Sequence, residues 1–245
     1  MSVANVHLLF GRNNSKRVST GSERFDSILG GGLPKSCITD VFGAAGTGKT
    51  QFAFQNAVMT AVQNPLQKLT MTNPSVVFID CAGSFRPERI VEISDARSLD
   101  ASVILDSIFS ISVRTVKDQT NATERVISDE LFLNCKLLVV DDVTSNFVSD
   151  FDGEDHIVER QRILALYARN LAYLAGLKGL SVLLTNSVRA RGDLGEGETT
   201  GEVLSAFSFA RLHFNKRGQR REARVLHPRL INSRINFQIG AYGIS

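Results

Sequence analysis

The stretch GAAGTGKT, residues 43–50, has the spacing G-x-x-x-x-G-K-T. Upstream, SCITDVFG (36–43) reads as a buried strand. Downstream, KTQFAFQNAVMTAVQN (49–64) carries Phe52, Phe54, Ala57, Val58 and Ala61 at helical spacing. A glycine loop between a strand and a helix is the context that a phosphate-binding loop demands. Gly43, Gly46 and Gly48 let the backbone curl so that N–H groups of the loop, those of Ala44, Ala45 and Thr47 included, point at phosphate oxygens. The helix N-terminus, where Gln51 follows Thr50, adds partial positive charge. Lys49 reaches the β- and γ-phosphates in such a loop, and the Thr50 hydroxyl faces Mg²⁺. The motif says that a phosphate is gripped. It does not say that the phosphate is cleaved.

Outward from the loop, strands and helices alternate. SVVFIDCA (75–82), SIFSISV (107–113), KLLVVDD (136–142) and LSVLLTN (180–186) read as strands. PERIVEISDA (87–96), ATERVISDELFL (122–133) and DHIVERQRILALYARNLAYLAGLKG (155–179) read as helices. Nearly continuous apolar strands alternating with helices predict an α/β fold with a mainly parallel sheet covered on both faces. Before the loop, Ser19 or Thr20 is placed to cap a short helix bearing Phe25, Ile28 and Leu29, stopped by Gly30, Gly31 and Gly32. After the parallel units, FSFARLHFNKRGQRREARVLH (207–227) predicts a β-hairpin, and SRINFQIG (233–240) a last strand, extending the sheet in antiparallel fashion. One core domain is expected over residues 19–245, after a polar tail over 1–18.

The second carboxylate that such a site needs is expected at the end of an apolar strand, and Asp141 fits. Asp142 follows it, but successive strand residues face opposite sides, so only one of the two is expected to serve.

Bulk properties are those of an ordinary globular chain: 245 residues, 43% hydrophobic, 22% charged, net charge +3. So mild a charge leaves any nucleic-acid affinity to a local patch. Cys37, Cys81 and Cys135 lack paired spacing and sit in or beside apolar runs, which predicts buried free thiols in a reducing compartment. No apolar run approaches a bilayer's thickness, and the N-terminus lacks the features of a signal peptide, so a cytoplasmic protein is expected.

FIDCAGSFRPERI (78–90), LLTNSVRA (183–190), STGSERFDSILGGGL (19–33), GTGKTQ (46–51) and KLLVVDDVTSNF (136–147) resemble, in order and spacing, the RecA/RadA recombinase family in its archaeal–eukaryotic branch. The resemblance runs from about residue 18 to the C-terminus. It implies a RecA-type P-loop ATPase core, ATP with Mg²⁺ bound between subunits, and work on DNA strands in homologous recombination. It assigns Arg89 to stacking on adenine, and the segment holding Pro228 to capping ATP on the next subunit.

The departures from the family are as informative. Its water-activating acid falls at Ala82, which has no proton acceptor, and loss of a general base typically costs about 10²–10⁴ in rate. Asp80 lies one pleat back, roughly 6–7 Å away, too far to serve the same water. The family's γ-phosphate-sensing glutamine falls at Ser187, which is too short for that reach. The first DNA loop, NFVSDFDGEDH (146–156), shows Asp150, Asp152, Glu154 and Asp155 where arginine is expected. The second, VRARGDLGEGETTGEV (188–203), keeps Arg189 and Arg191 beside Asp193, Glu196 and Glu198. Carboxylates repel a DNA backbone. The family's N-terminal helical domain and Phe-x-x-Ala linker have no counterpart before residue 20. The chain therefore resembles a paralogue of the RadB type: an ATP holder with weak hydrolysis, near chromosomal DNA, acting on the main recombinase or another paralogue through protein contacts.

A basic surface survives in NKRGQRREAR (215–224), where Lys216, Arg217, Arg220, Arg221 and Arg224 cluster about the hairpin turn, with Arg211, Arg229 and Arg234 nearby in sequence. Such a cluster serves either weak, sequence-blind DNA contact or protection of a sheet edge. Arg86 is expected to pair with a loop carboxylate. Three other readings compete with the paralogue: a DNA-stimulated ATPase in which another residue activates water, a P-loop kinase with RARGDLGEG as its lid, and a scaffold that uses ATP structurally.

Overall fold

The computed structural model of the chain describes residues 17–63, 73–190, 196–198, 201–227 and 234–245, and for 189, 190 and 196–198 the backbone alone. The expected N-terminal tail, apart from its last two residues, and Arg191, Asp193, Pro228 and Arg229 lie outside these segments.

The elements run β1 (Arg17–Val18), α1 (Glu23–Ile28), β2 (Leu33–Pro34), β3 (Ile38–Gly43), α2 (Lys49–Val62), β4 (Val76–Asp80), α3 (Pro87–Ala96), α4 (Ala101–Asp106), β5 (Ile108–Ser112) and α5 (Val116–Ser128). Next come β6 (Leu137–Asp141), α6 (Ser145–Asp150), α7 (Ile157–Lys178), β7 (Ser181–Ala190), β8 (Glu196–Glu198) and α8 (Gly201–Phe207). The chain closes with β9 (Ala210–Arg217), β10 (Arg220–His227), β11 (Arg234–Phe237), β12 (Ile239–Gly240) and β13 (Gly243–Ile244).

The large sheet has the order β11-β10-β9-β3-β7-β6-β4-β5, with β8 hydrogen-bonded to β7. β3, β4, β5, β6, β7 and β9 pair in parallel. β10 and β11 add antiparallel strands at one end. The expected hairpin is therefore present, with one refinement: its first strand lies parallel to β3, and only its second reverses direction.

Alternation along the central strands explains why they read as unbroken apolar runs. Val76, Phe78, Leu137, Val139 and Leu183 face one core, built with α1, α2 and α3. Val77, Ile79, Leu138, Val140, Val182 and Leu184 face another, built with α5, α7 and α8. Every one of these residues is buried, as strands sandwiched between helix layers require. α2 is embedded so deeply that polar Gln55, Asn56 and Thr60 are buried beside its predicted apolar positions.

Local signals account for the differences from expectation. α5 begins at Val116, six residues before ATERVISDELFL, because Thr115 Oγ1 caps it by accepting from Asp118 N at 3.1 Å. The end of that run becomes a separate 3-10 turn, Glu130–Phe132. α4 starts after Asp100, whose carboxylate accepts from Ser102 N and Val103 N. Ser19 and Thr20 do not cap α1. They donate to Asp26, at 2.5 Å from Ser19 Oγ and 2.7 Å from Thr20 Oγ1, and Ser22 takes the N-cap position. Cys81 and Cys135 are buried free thiols, whereas Cys37 is only half-buried.

Four rings lock the C-terminal strands under the glycine loop. Phe25 lies 4.9 Å from Phe52 and 5.4 Å from Phe237, and Phe214 lies 5.0 Å from Phe237. This cluster ties α1 and α2 to β9 and β11, which sets the hairpin's position relative to residues 43–50.

Candidate functional site

β3, β4, β6 and β7 deliver their carboxyl ends to one edge of the sheet, the edge at which open α/β sheets gather ligand-binding groups. The glycine loop leaves β3 there. At Gly43 an added Cβ would stand 2.1 Å from Phe214 O, so the loop's start admits no side chain. At Gly48 the backbone has φ 113°, and a Cβ would stand 2.9 Å from Ile239 Cδ1. Only glycine meets both demands. Thr47 Oγ1 closes the turn by donating to Ala44 O at 2.9 Å.

Lys49 is buried and donates to Gly43 O at 2.8 Å and Ala44 O at 3.0 Å. Burial pushes its ammonium pKa down, and the Asp142 and Asp141 carboxylates pull it back up. Asp142 lies just beyond β6, which ends at Asp141. Asp142 Oδ1 accepts from Thr144 N at 3.1 Å and Thr144 Oγ1 at 3.0 Å.

Asp141, 2% exposed, accepts from Thr50 Oγ1 at 3.2 Å, from Ser84 Oγ at 2.6 Å and from Thr185 Oγ1. Burial raises its pKa, opposed by those three hydroxyl donors. Asp80 behaves differently. Its carboxylate accepts from Ser84 N at 2.9 Å, Phe85 N at 3.1 Å and Ala82 N at 3.3 Å. It therefore organises the loop that leads into FRPER, and its lone pairs face that loop's backbone. Ala82 itself is exposed. Phe85 anchors the same loop on Phe78 and Phe54, at 5.0 and 5.9 Å between centroids.

A cleft of about 630 Å³ opens beside the loop, lined by Gly46, Gly48, Lys49, Thr50 and Gln51 on one side, and by Arg89, Glu92, Arg221 and Ile239–Ala241 on the other. Arg89 is held by three groups: Gln51 Oε1 at 2.7 Å, Gly240 O at 2.6 Å and Glu92 Oε2 at 2.6 Å. Of the predicted nucleotide-site residues, Gly46, Gly48, Lys49, Thr50, Gln51 and Arg89 are thus brought together around this cleft. Ser187 lies beside the loop's start, as the Cα partner of Gly43. Arg86 donates to the Gly83 and Phe85 carbonyls rather than to a carboxylate, because the loop turns those carbonyls toward it.

Sequence reasoning passed over Ser84, Thr185 and the Ile239–Ala241 wall. Ser84 immediately precedes the FRPER run. Thr185 was signalled only as a polar residue at the end of an apolar strand. The wall had no local signal, since its place depends on the phenylalanine cluster.

Described parts of both expected DNA loops belong to regular elements. Residues 145–150 form α6, with Asn146, Phe147 and Val148 buried. Asp150 Oδ2 accepts from Val116 N at 2.8 Å and so caps α5, whose first N–H groups need an acceptor. In the second segment Arg189 continues β7 and pairs in register with Gly197 of β8. Among the hairpin cations, Lys216, Arg217, Arg220 and Arg224 are exposed, as is Arg234. Arg211 is not a surface residue: it is buried in an ion pair with Asp40 at 2.9 Å and lies over the Phe42 ring at 4.5 Å. Arg221 lines the cleft.

Among the described residues, no group of three or more His, Cys, Asp or Glu is arranged to hold a metal, and no helix is long and apolar enough to cross a membrane. The neighbouring Thr50 hydroxyl and Asp141 carboxylate present oxygen donors of the kind a hard divalent cation takes with added waters.

Residues 11–245 match the Rad51 family model. The chain is 35% identical, over 94% of its own length and 73% of the relative's, to the DNA repair and recombination protein RadA of Aeropyrum pernix. It is 34% identical to the RadA of Ignicoccus hospitalis (95% and 74% covered) and 32% identical to that of Methanococcus maripaludis (98% and 79%).

Proposed function

Because the chain belongs to the Rad51 family of RecA/RadA recombinases, we propose that it is an ATP-binding paralogue that serves as an accessory factor in homologous recombination and DNA repair. It holds ATP in the glycine-loop cleft and hydrolyses it weakly. Gly43–Gln51 cradle the phosphates and Arg89 flanks the base. Thr50 and Asp141 hold Mg²⁺, which when bound screens phosphate charge. Its partner is the main recombinase or another paralogue, and DNA contact through Lys216, Arg217 and Arg220 is weak. The working unit is the single core over residues 19–245, in the cytoplasm with the chromosome.

One observation carries the weak hydrolysis. Ala82, two residues past the end of β4, is exposed and offers no acceptor, and the carboxylate that ends that strand, Asp80, is turned onto backbone N–H groups. A DNA-stimulated ATPase is the second reading, favoured by Asp142, a second carboxylate that follows β6 and whose charge opposes the burial-driven fall of the Lys49 pKa.

The test is paired: ATP affinity, and turnover with and without single-stranded DNA, for the unsubstituted chain and for Ala82→Glu. Tight binding with negligible turnover, raised about 10²–10⁴-fold by Ala82→Glu, supports the accessory reading. Brisk DNA-stimulated turnover in the unsubstituted chain, abolished by Asp142→Asn, replaces it with the second.

A further inference from the structure

Three cations line the glycine-loop cleft, and they differ in how far they are already engaged. Lys49 donates to two loop carbonyls. Arg89 is held by Gln51, Glu92 and Gly240. Arg221 is half-buried, and its Nε is shut away from solvent without a hydrogen-bond partner. Leaving a buried donor of a charged group unpaired is costly, so such a group in a cleft wall points to a ligand.

The backbone says which part of a ligand it meets. Arg221 is the Cα partner of Lys216 on β9 and of Phe237 on β11. The Phe237 ring comes within 3.4 Å of where a Cβ on Gly48 would stand. Arg221 therefore projects beside the glycine loop's last turn, with Gly46 and Gly48 across the cleft. Arg89 and Glu92, on α3, form a separate part of the wall with Gly240. Strand alternation separates Arg221 from its neighbour Arg220, which faces the other side of the hairpin with Arg217. A second cleft, of about 680 Å³ and lined by Arg24, Gln219, Arg220 and Gln238, shares Arg221 as part of its wall.

We propose that Arg221 is a phosphate-binding residue: the C-terminal hairpin contributes a guanidinium to the polyphosphate of a nucleotide held by the glycine loop. This rests on the nucleotide reading above. Arg221 then belongs to the nucleotide site and not with Arg217 and Arg220 on the hairpin's other face. Guanidinium suits the task because its fork can take two phosphate oxygens at once.

The experiment measures displacement of a fluorescent ATP analogue by ATP, ADP and adenosine, on the full chain and on Arg221→Ala, Arg221→Lys and Arg220→Ala. Arg221→Ala is expected to lose about tenfold or more in ATP and ADP affinity. Adenosine affinity should be unchanged, Arg221→Lys should recover part of the loss, and Arg220→Ala should match the unsubstituted chain. The melting temperature of Arg221→Ala without nucleotide should be equal or higher, since an unpaired buried donor has been removed. An equal loss for adenosine, or unchanged ATP affinity in Arg221→Ala, overturns the phosphate role while leaving the nucleotide reading intact. Failure of the unsubstituted chain to bind ATP overturns both.

Discussion

Asp80 and Asp141 end adjacent parallel strands as Cα partners, and both are buried. Their surroundings nevertheless give them opposite work. Asp80 accepts from the backbone N–H groups of Ala82, Ser84 and Phe85. Asp141 accepts from the hydroxyls of Thr50, Ser84 and Thr185. An N–H group cannot turn away without moving the chain, so Asp80 is committed to holding a loop. A hydroxyl rotates freely, so the oxygens around Asp141 can reorient toward a cation. Ser84 bridges the two, at 2.6 Å from Asp141 Oδ2 and 3.4 Å from Asp80 Oδ1. Position in the sheet therefore does not assign a role; the type of donor does.

The largest effect that would sharpen this contrast is on stability. Asp80→Ala is expected to cost about 3 kcal/mol, because it strips the acceptor from three loop N–H groups. Without metal, Asp141→Ala should cost no more than about 1 kcal/mol, since its carboxylate is already disfavoured by burial. Urea unfolding of both variants decides the matter, and equal losses would erase the distinction.

The next effect is on metal dependence. Asp141→Asn should reduce the gain in ATP affinity that Mg²⁺ provides by about tenfold to a hundredfold. Titration with and without chelator reads it directly. A full Mg²⁺ effect in this variant would break the comparison from the other side.

The smallest effect is on pH. Burial raises the Asp141 pKa above its unfolded value, so the fold favours the protonated form. Deprotonation then costs stability as pH rises from the ordinary carboxylate range through the folded pKa, and the penalty persists above it. In metal-free melts, the unsubstituted chain should lose ground to Asp141→Asn as pH rises from about 4 to 7. A constant difference between the two would show that Asp141 titrates in its ordinary range.

Much of this site was legible one element at a time. The glycine spacing, the apolar run ending at Asp141 and the FRPER stretch each carry a local signal. Strand pitch was no guide at Ala82, because β4 ends at Asp80, whose carboxylate instead accepts from the loop N–H groups of Ala82, Ser84 and Phe85. What was hidden depends on contacts between distant residues. Arg211 read as part of a basic surface, yet it sits opposite Asp40 across two paired strands. Asp150 read as a loop carboxylate, yet it caps a helix that begins 34 residues earlier.

The sequence by itself determined the alternation of strands and helices and the place of the glycine loop between β3 and α2. It also put alanine, which has no proton acceptor, at position 82. All of these rest on side-chain type and short-range periodicity, which a chain carries before it folds. Only the tertiary structure decided that Arg221 lines the cleft, and that Thr50, Ser84 and Thr185 gather their hydroxyls on Asp141. Those outcomes depend on how the phenylalanine cluster seats the hairpin and on which strand ends lie side by side, and neither is a property of any local stretch.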